Sequence, residues 1–176
     1  MKFVFLFGYP GTGKKTVGLE LEKITGFPLL DNHSVLDVVR KVLPMSHPLS
    51  REISGEIRNL LIEGACRAQL PGLITTVSGA GPRSVEIVNN WVRIVESHNG
   101  SIFPFELRCS METILKRIAH PSRKGTTKST TKVELDDYIA RGTLPHLTEY
   151  NPPIIDTDQL SPLEAAQKIL EMTSQG

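Results

Sequence analysis

The chain has 176 residues, 39% of them apolar and 22% charged, with a net charge of +1 and two cysteines. That is the make-up of a single domain long enough to bury a substantial core. The near-balance of charge argues against an electrostatically driven nucleic-acid binder or a membrane-surface protein, and no stretch approaches the roughly 18–20 apolar residues of a membrane span. Cys66 and Cys109 lie far apart in unlike contexts and read as buried thiols in a reducing, cytoplasmic compartment.

The first element is the apolar run 3–7, FVFLF, which is short and lacks a cleavage pattern, and so reads as a buried strand rather than a leader. A turn containing Gly8, Pro10, Gly11 and Gly13 follows at once. Next comes a helix over 14–25, with Val17, Leu21 and Ile24 on its apolar side and Gly26 as its stop. Residues 27–30 form a second strand that ends at Asp31, and the pattern predicts a helix over 34–42 with Ser34 as its N-cap. After a loop around Pro44 and Pro48, a long helix over 50–69 is expected to turn Ile53, Ile57, Leu60, Leu61 and Ala65 inward. The run LITTV, 73–77, is a third strand, followed by the turn 78–82 and a helix over 83–97 carrying Ile87, Val88, Trp91 and Val95. A strand over 102–108 and a helix over 111–118 come next, then a segment rich in Ser, Thr, Lys and Gly, 120–132, which reads as a mobile loop. A helix over 133–141, a strand over 153–156 and a helix over 162–172 complete the chain.

Strands alternating with helices predict an α/β architecture whose parallel sheet is covered on both faces. Right-handed crossovers bring the C-terminal ends of the strands to one edge, where ligands bind. Gly8–Lys14, Asp31–His33, Ser78–Gly81, Cys109 and Ser110, and Asp156–Asp158 therefore carry the functional weight.

A strand, a glycine-rich turn and a helix start make a phosphate cradle, because the glycines let backbone N–H groups converge on phosphate oxygens. Gly8, Gly13 and Lys14 fit the pattern G-x-x-x-x-G-K-[ST], and Lys14 would reach the β- and γ-phosphates. Lys15 stands where that pattern has a metal-binding hydroxyl; the hydroxyl comes one residue later, at Thr16. Asp31, placed beside the cradle by a parallel sheet, suits the carboxylate that orients an acceptor hydroxyl and takes its proton, or else an N-cap or turn aspartate. His33 reads as a substrate contact or a surface histidine. The strand LITTV carries no acid to support a metal. The basic residues from Arg117 to Lys132 read as phosphate-directed donors or as a solvated loop; without interleaved aromatics they make a poor nucleic-acid surface.

The spacing G-x-P-G-x-G-K-x-T resembles the loop of adenylate kinases and related small-molecule kinases. LLDNH, the glycine turn after LITTV, the segment LKRIAHPSRKGTTKSTTK and the closing IIDT resemble the corresponding parts of shikimate-kinase-like enzymes. Together they span nearly the whole chain and resemble the nucleoside-monophosphate-kinase and shikimate-kinase group of P-loop proteins. The resemblance implies a three-layer α/β/α P-loop nucleoside-triphosphate-hydrolase fold with a mainly parallel five-stranded sheet, in one domain over 1–176. Its acceptor-binding region would span about 31–70 and its lid about 117–132. It implies ATP as ligand, bound by Gly8, Gly11, Thr12, Gly13, Lys14, Lys15 and Thr16, with Thr16 at the α-phosphate and Mg²⁺ supported by Thr16 and Asp31 and held mostly through waters. Arg117 would lie near the adenine and Arg123 at the transferring phosphate, with Lys124 and Lys128 as further lid cations. Asp31, His33, Arg58, Gly79 and Gly81 would face the acceptor, with Arg51 a second arginine on the same helix as Arg58. Where the group carries an acidic pair separated by one residue, this chain has Asp31 and His33.

The implied activity is transfer of the γ-phosphoryl group of ATP to a small-molecule hydroxyl or phosphate. A nucleotide-binding protein or weak nucleotide hydrolase with altered metal handling is the alternative, and a nucleoside-monophosphate or RNA-end kinase a second. A small-molecule acceptor is expected as partner rather than nucleic acid or membrane, with the protein a monomer or small homo-oligomer.

Overall fold

The structure, a computed structural model, describes residues 1–78, 82–123, 130–140 and 150–174. Its five strands are β1 (Lys2–Phe7), β2 (Leu29–Leu30), β3 (Gly72–Val77), β4 (Ser101–Arg108) and β5 (Ile154–Asp156). They form one sheet in the order β2-β3-β1-β4-β5, and every pairing is parallel. The helices are α1 (Lys14–Thr25), α2 (Asn32–Val39), α3 (Pro48–Arg67), α4 (Pro82–Ser97), α5 (Met111–Ile118), α6 (Lys132–Ala140) and α7 (Pro162–Ser174). A short 3-10 turn, Pro121–Arg123, follows α5. The α/β architecture and the parallel five-stranded sheet are those expected from the sequence. Among the described residues no helix is long and apolar enough to cross a membrane.

β1 is the central strand and is covered on both faces, which is why it reads as a continuous apolar run rather than an alternating one. Phe3, Phe5 and Phe7 point into one core with Ile62 of α3 and Val88, Trp91 and Val95 of α4. Val4 and Leu6 point into the other, with Val17 and Leu21 of α1 and Ala165, Ala166 and Ile169 of α7. The chain fills the sheet on one side of β1 and then on the other, so the crevice over the C-terminal end of β1 is the topological switch point of the sheet. The turn containing Gly8 and Gly13 opens into it.

Three expectations are corrected. The helix after β2 begins at Asn32, with Asp31 at the N-cap position, so Ser34 lies within its first turn and does not cap it. On α3, Leu60 and Leu61 are exposed rather than inward; the buried positions are Ser50, Ser54, Arg58, Ile62, Ala65 and Cys66. The helix is rotated because the polar residues Ser50, Ser54 and Arg58 find partners inside, and a count of apolar periodicity does not register such residues. Leu60 and Leu61 instead line an apolar hollow of about 390 Å³ beside β2. Cys66 is buried, but Cys109 is only half-buried, because it directly follows β4 at the C-terminal edge of the sheet.

Trp91 ties α4 to the centre of the sheet: its ring meets Phe5 edge-on at 6.0 Å, and the Arg58 guanidinium lies 4.4 Å from its centroid on the other contact. Trp91→Ala is expected to lower stability by about 3–5 kcal/mol through lost burial and the cavity left behind. Urea unfolding should show this as a lower midpoint with an unchanged slope.

Candidate functional site

The turn after β1 is shaped by what surrounds it. Gly8 has φ 143°, and a side chain there would meet the Leu107 carbonyl oxygen at 2.4 Å, so only glycine fits between β1 and β4. Gly13 has φ 88° and stands at the N-cap of α1, contributing no side-chain cap. The first helical bond to this cap runs from the Val17 N–H to the Gly13 carbonyl, at 3.0 Å. The amides of Lys14, Lys15 and Thr16 thus begin a helix with no carbonyl one turn behind them, in the arrangement that favours anions.

Lys14 is buried, and its ammonium donates to the carbonyls of Gly8 at 2.8 Å and Tyr9 at 2.7 Å. Burial, with Arg123 nearby, brings its pKa down to about 7, against the opposing pull of Asp31. Thr12 is buried beneath the turn, where its hydroxyl donates to the Tyr9 carbonyl at 2.9 Å.

Asp31 faces this turn from the end of β2 and is 3% exposed. Its carboxylate makes no N-cap bond. One oxygen accepts from the Lys15 ammonium at 2.9 Å and the other from the Thr76 hydroxyl at 3.1 Å. Burial pushes its pKa up, but the hydrogen bond and charge of Lys15, the charge of His33 and the Thr76 bond outweigh that and hold it below the usual carboxylate range. β3 thus supplies no acid of its own; Thr76, in LITTV, positions the acid that ends β2 instead.

The resemblance assigns Mg²⁺ to Thr16 and Asp31, and these surroundings do not fit a divalent ion. Lys15 stands at the position of the metal-binding hydroxyl and is bonded to Asp31, the other proposed support. Two unit charges of like sign 4 Å apart repel by about 4 kcal/mol at an effective dielectric constant of about 20, and a divalent ion doubles that.

The third wall comes from β4, α5 and the turn after β5. Arg117 of α5 donates to the Thr157 hydroxyl at 3.0 Å and carbonyl at 2.9 Å, and more weakly to the Gly11 carbonyl at 3.3 Å. The Thr157 hydroxyl also lies 3.1 Å from the Thr12 carbonyl, so one arginine and one threonine lock the glycine turn to the last turn of the sheet. Arg123, at the end of the 3-10 turn, has its pKa lowered by burial, against the opposing charge of Glu134. Burial likewise raises the pKa of the half-buried Cys109 thiol beside Arg117, over the opposing Thr157 bond.

These walls enclose a cavity of about 600 Å³. Of the residues anticipated from sequence, Gly11, Gly13, Lys14, Lys15, Thr16, Asp31, His33, Arg117 and Arg123 line it. Gly8 and Thr12 lie outside the lining. Arg58 does too: it is buried, bonded to Asn32, to the Thr75 hydroxyl at 2.6 Å and to the Thr76 carbonyl at 3.0 Å, so it braces the ends of β2 and β3 from below. Burial lowers its pKa to about 10, with Asp31 opposing. Arg51 also lies outside the lining and acts electrostatically on Tyr138 of α6. Gly79, Gly81, Lys124 and Lys128 fall outside the described residues. Ser78, anticipated at the end of β3, lines the cavity, and so do Thr76, Lys116, His120 and Tyr138, which were not singled out as site residues. Thr76 was recoverable from its place at the end of β3, whereas Tyr138 lies far along the chain and carried no motif.

The switch point of the parallel sheet lies over a glycine turn and a buried lysine. The chain has the fold of solved kinases of the shikimate-kinase and APS-kinase type. A candidate kinase from Chloroflexus aurantiacus superposes with a TM-score of 0.71 at 20% identity, over 99% of this chain and 97% of that one. The shikimate kinase of Acinetobacter baumannii, solved with shikimate, gives 0.65 at 17% identity, over 98% and 93%. The APS kinase of Mycobacterium tuberculosis, solved with AMPPNP and APS, gives 0.61 at 14% identity, over 99% and 98%. No family model and no curated protein matches the sequence.

With a pKa of about 7, Lys14 is largely neutral at about pH 8, and a polyanion that favours its charged form will draw in a proton. Titration with inorganic tripolyphosphate in buffers of different ionisation enthalpy should therefore register proton uptake at about pH 8. The Lys14 part of that uptake should be absent at about pH 5, where the ammonium is already charged. Lys14→Met should lack it at both.

Proposed function

We propose that the protein is an ATP-dependent phosphotransferase acting on a small-molecule hydroxyl or phosphate. The observation that carries this reading is the placement of Lys14 and the N-terminus of α1 on one wall of the cavity, Asp31 on another, and Arg117 and Arg123 on a third. Phosphoryl transfer demands little covalent chemistry of a protein; it needs donors around the phosphoryl oxygens and a group that orients the nucleophile.

Each residue then has a role set by its surroundings. Lys14 and the opening amides of α1 hold the β- and γ-phosphates. Arg117, braced by Thr157, borders the nucleotide from the α5 side, and Arg123 faces the transferring group. Asp31 is held ionised by its partners, so it accepts a hydrogen bond from the acceptor hydroxyl and orients it. As the acceptor oxygen bonds to the γ-phosphorus and the bond to the ADP oxygen breaks, the acceptor proton passes to Asp31. A carboxylate with a depressed pKa takes that proton late, which suits a loose transition state in which the acceptor oxygen turns acidic only as its bond forms. The reading routes no step through a metal.

His33, Asn32, Ser78 and Tyr138 line the same cavity away from the glycine turn and would face the acceptor. Shikimate and APS, the molecules named with two of the structural neighbours, differ too much in chemistry for the shared fold to select between them. The ion pair between Lys15 and Asp31 favours a second reading, a nucleotide-binding protein with little turnover, because it engages the group that would orient an acceptor.

Assay of ATP consumption against panels of small alcohols, sugars, hydroxy acids and nucleoside monophosphates tests the proposal. Turnover on one class is expected, with Lys14→Ala abolishing it and Asp31→Asn lowering kcat by about 10²–10⁴. Nucleotide binding without transfer to any acceptor would leave the second reading. Full turnover in Lys14→Ala would overturn both assignments of Lys14.

A further inference from the structure

We infer that Lys15 takes the place of the metal ion, and that the cavity binds a nucleoside triphosphate in its metal-free form. The inference rests on the nucleotide reading above and specifies the ionic form of the ligand.

Two positions of the loop and sheet bear on a metal. In a loop of the pattern G-x-x-x-x-G-K-[ST], the residue after the lysine offers a hydroxyl to the metal, and an acid at the end of a neighbouring strand supports its surroundings. Here Lys15 takes the first position, β3 beside β1 carries no acid at the second, and Asp31, which follows β2 one strand further out, is bonded to Lys15 at 2.9 Å. The pair is set up from both sides. Asp31 is fixed by the Thr76 hydroxyl at 3.1 Å, and the amide after it, that of Asn32, donates to the same hydroxyl at 3.2 Å. Lys15 is fixed at its base by the first turn of α1, while its side chain stays 41% exposed and lines the cavity. An ammonium has three donors, and the bond to Asp31 uses one. The side chain lines the same cavity as Gly11, Gly13 and Lys14, so two donors remain for a phosphate bound there.

Charge points the same way. Among the described residues the cavity is lined by Lys14, Lys15, Lys116, Arg117 and Arg123 and by one carboxylate, Asp31. Lys116 is also paired with Glu112, Arg123 feels Glu134 and burial lowers the pKa of Lys14 to about 7, so Lys15 and Arg117 are the standing cations of the inner set. Chelation by Mg²⁺ removes negative charge from a triphosphate, whereas an excess of fixed cations favours the form that keeps it. A divalent ion at Asp31 would have to displace Lys15 or share its immediate neighbourhood. A lysine already in place supplies a charge to the phosphates at no cost in assembling a metal site.

Calorimetric titration with AMPPNP, once with excess EDTA and once with Mg²⁺, separates the possibilities. The wild-type protein is expected to bind the metal-free nucleotide at least as tightly as the Mg²⁺ complex. Lys15→Ser restores the hydroxyl and removes the cation; it should weaken metal-free binding by about tenfold or more and make Mg²⁺ tighten binding. Asp31→Asn keeps the Lys15 charge and should keep the metal-free preference; thermal unfolding of each variant verifies its fold. Tightening of wild-type binding by Mg²⁺ of about tenfold or more would overturn the inference and leave the nucleotide reading standing. So would a Lys15→Ser protein with the wild-type ratio of the two affinities. Binding of neither form by the folded wild-type protein would overturn the nucleotide reading and this inference with it.

Discussion

A carboxylate buried at the end of a strand needs partners, and the site is arranged around supplying them to Asp31. Burying an unpaired charge costs several kcal/mol, yet Asp31 is kept ionised by a bond from Lys15, a bond from Thr76 and the charge of His33. Each partner belongs to a different segment: Lys15 to the first turn of α1, Thr76 to the end of β3, His33 to the first turn of α2. Satisfying one carboxylate therefore draws the glycine turn, α2 and the centre of the sheet into one register. The Coulombic influence of Asp31 extends to Lys14 and Arg58, raising the pKa of both against the lowering effect of burial.

Arg58 extends the same logic beneath the cavity floor. Its guanidinium bonds Asn32, Thr75 and Thr76 and lies over the Trp91 ring, so the segment carrying Asp31 is braced against the core. Arginine suits this task because its planar fork reaches several acceptors and stacks on an aromatic face. The resemblance to small-molecule kinases assigns it to the acceptor, whereas the structure sets it below the cavity, with Asn32 and Thr76 between. Through Thr75 and Thr76, two residues that read from sequence as ordinary strand formers, it fixes the ends of both neighbouring strands.

What the sequence made legible was whatever has a period or a motif. The run FVFLF announces a strand buried on both faces, and the glycine turn with Lys14 announces a helix start directed at an anion. Strand and helix alternation gives the parallel sheet, and with it the edge at which Asp31, Ser78 and Thr157 gather. Polar burial was the part that stayed hidden. The rotation of α3 is set by Ser50, Ser54 and Arg58, and apolar periodicity pointed instead to Leu60 and Leu61, which are exposed. The partner of Lys15 was hidden for a related reason. A lysine in place of a hydroxyl reads as a missing ligand until the fold brings the end of β2 within 3 Å of it, and only then becomes half of an ion pair. Tyr138 joins the cavity through the packing of α6, whose buried Leu135 sits with Ile114 and Ile118 of α5, a tertiary contact without a local signature.

The cations at the cavity are already occupied by the protein's own groups, and this constrains what can bind there. Lys14 donates to the carbonyls of Gly8 and Tyr9, Lys15 to Asp31, and Arg117 to Thr157. An incoming anion competes with those bonds as well as with water. A single phosphate or carboxylate meets one or two of the cations, and little is gained when one charge-assisted bond replaces another. A polyphosphate reaches the opening amides of α1 and several cations at once, and ordering it once yields all of these contacts together. Preorganised cations restrained by weaker internal acceptors thus select for extended polyanions over simple ones. The same restraint leaves Asp31 charged and positioned beside them.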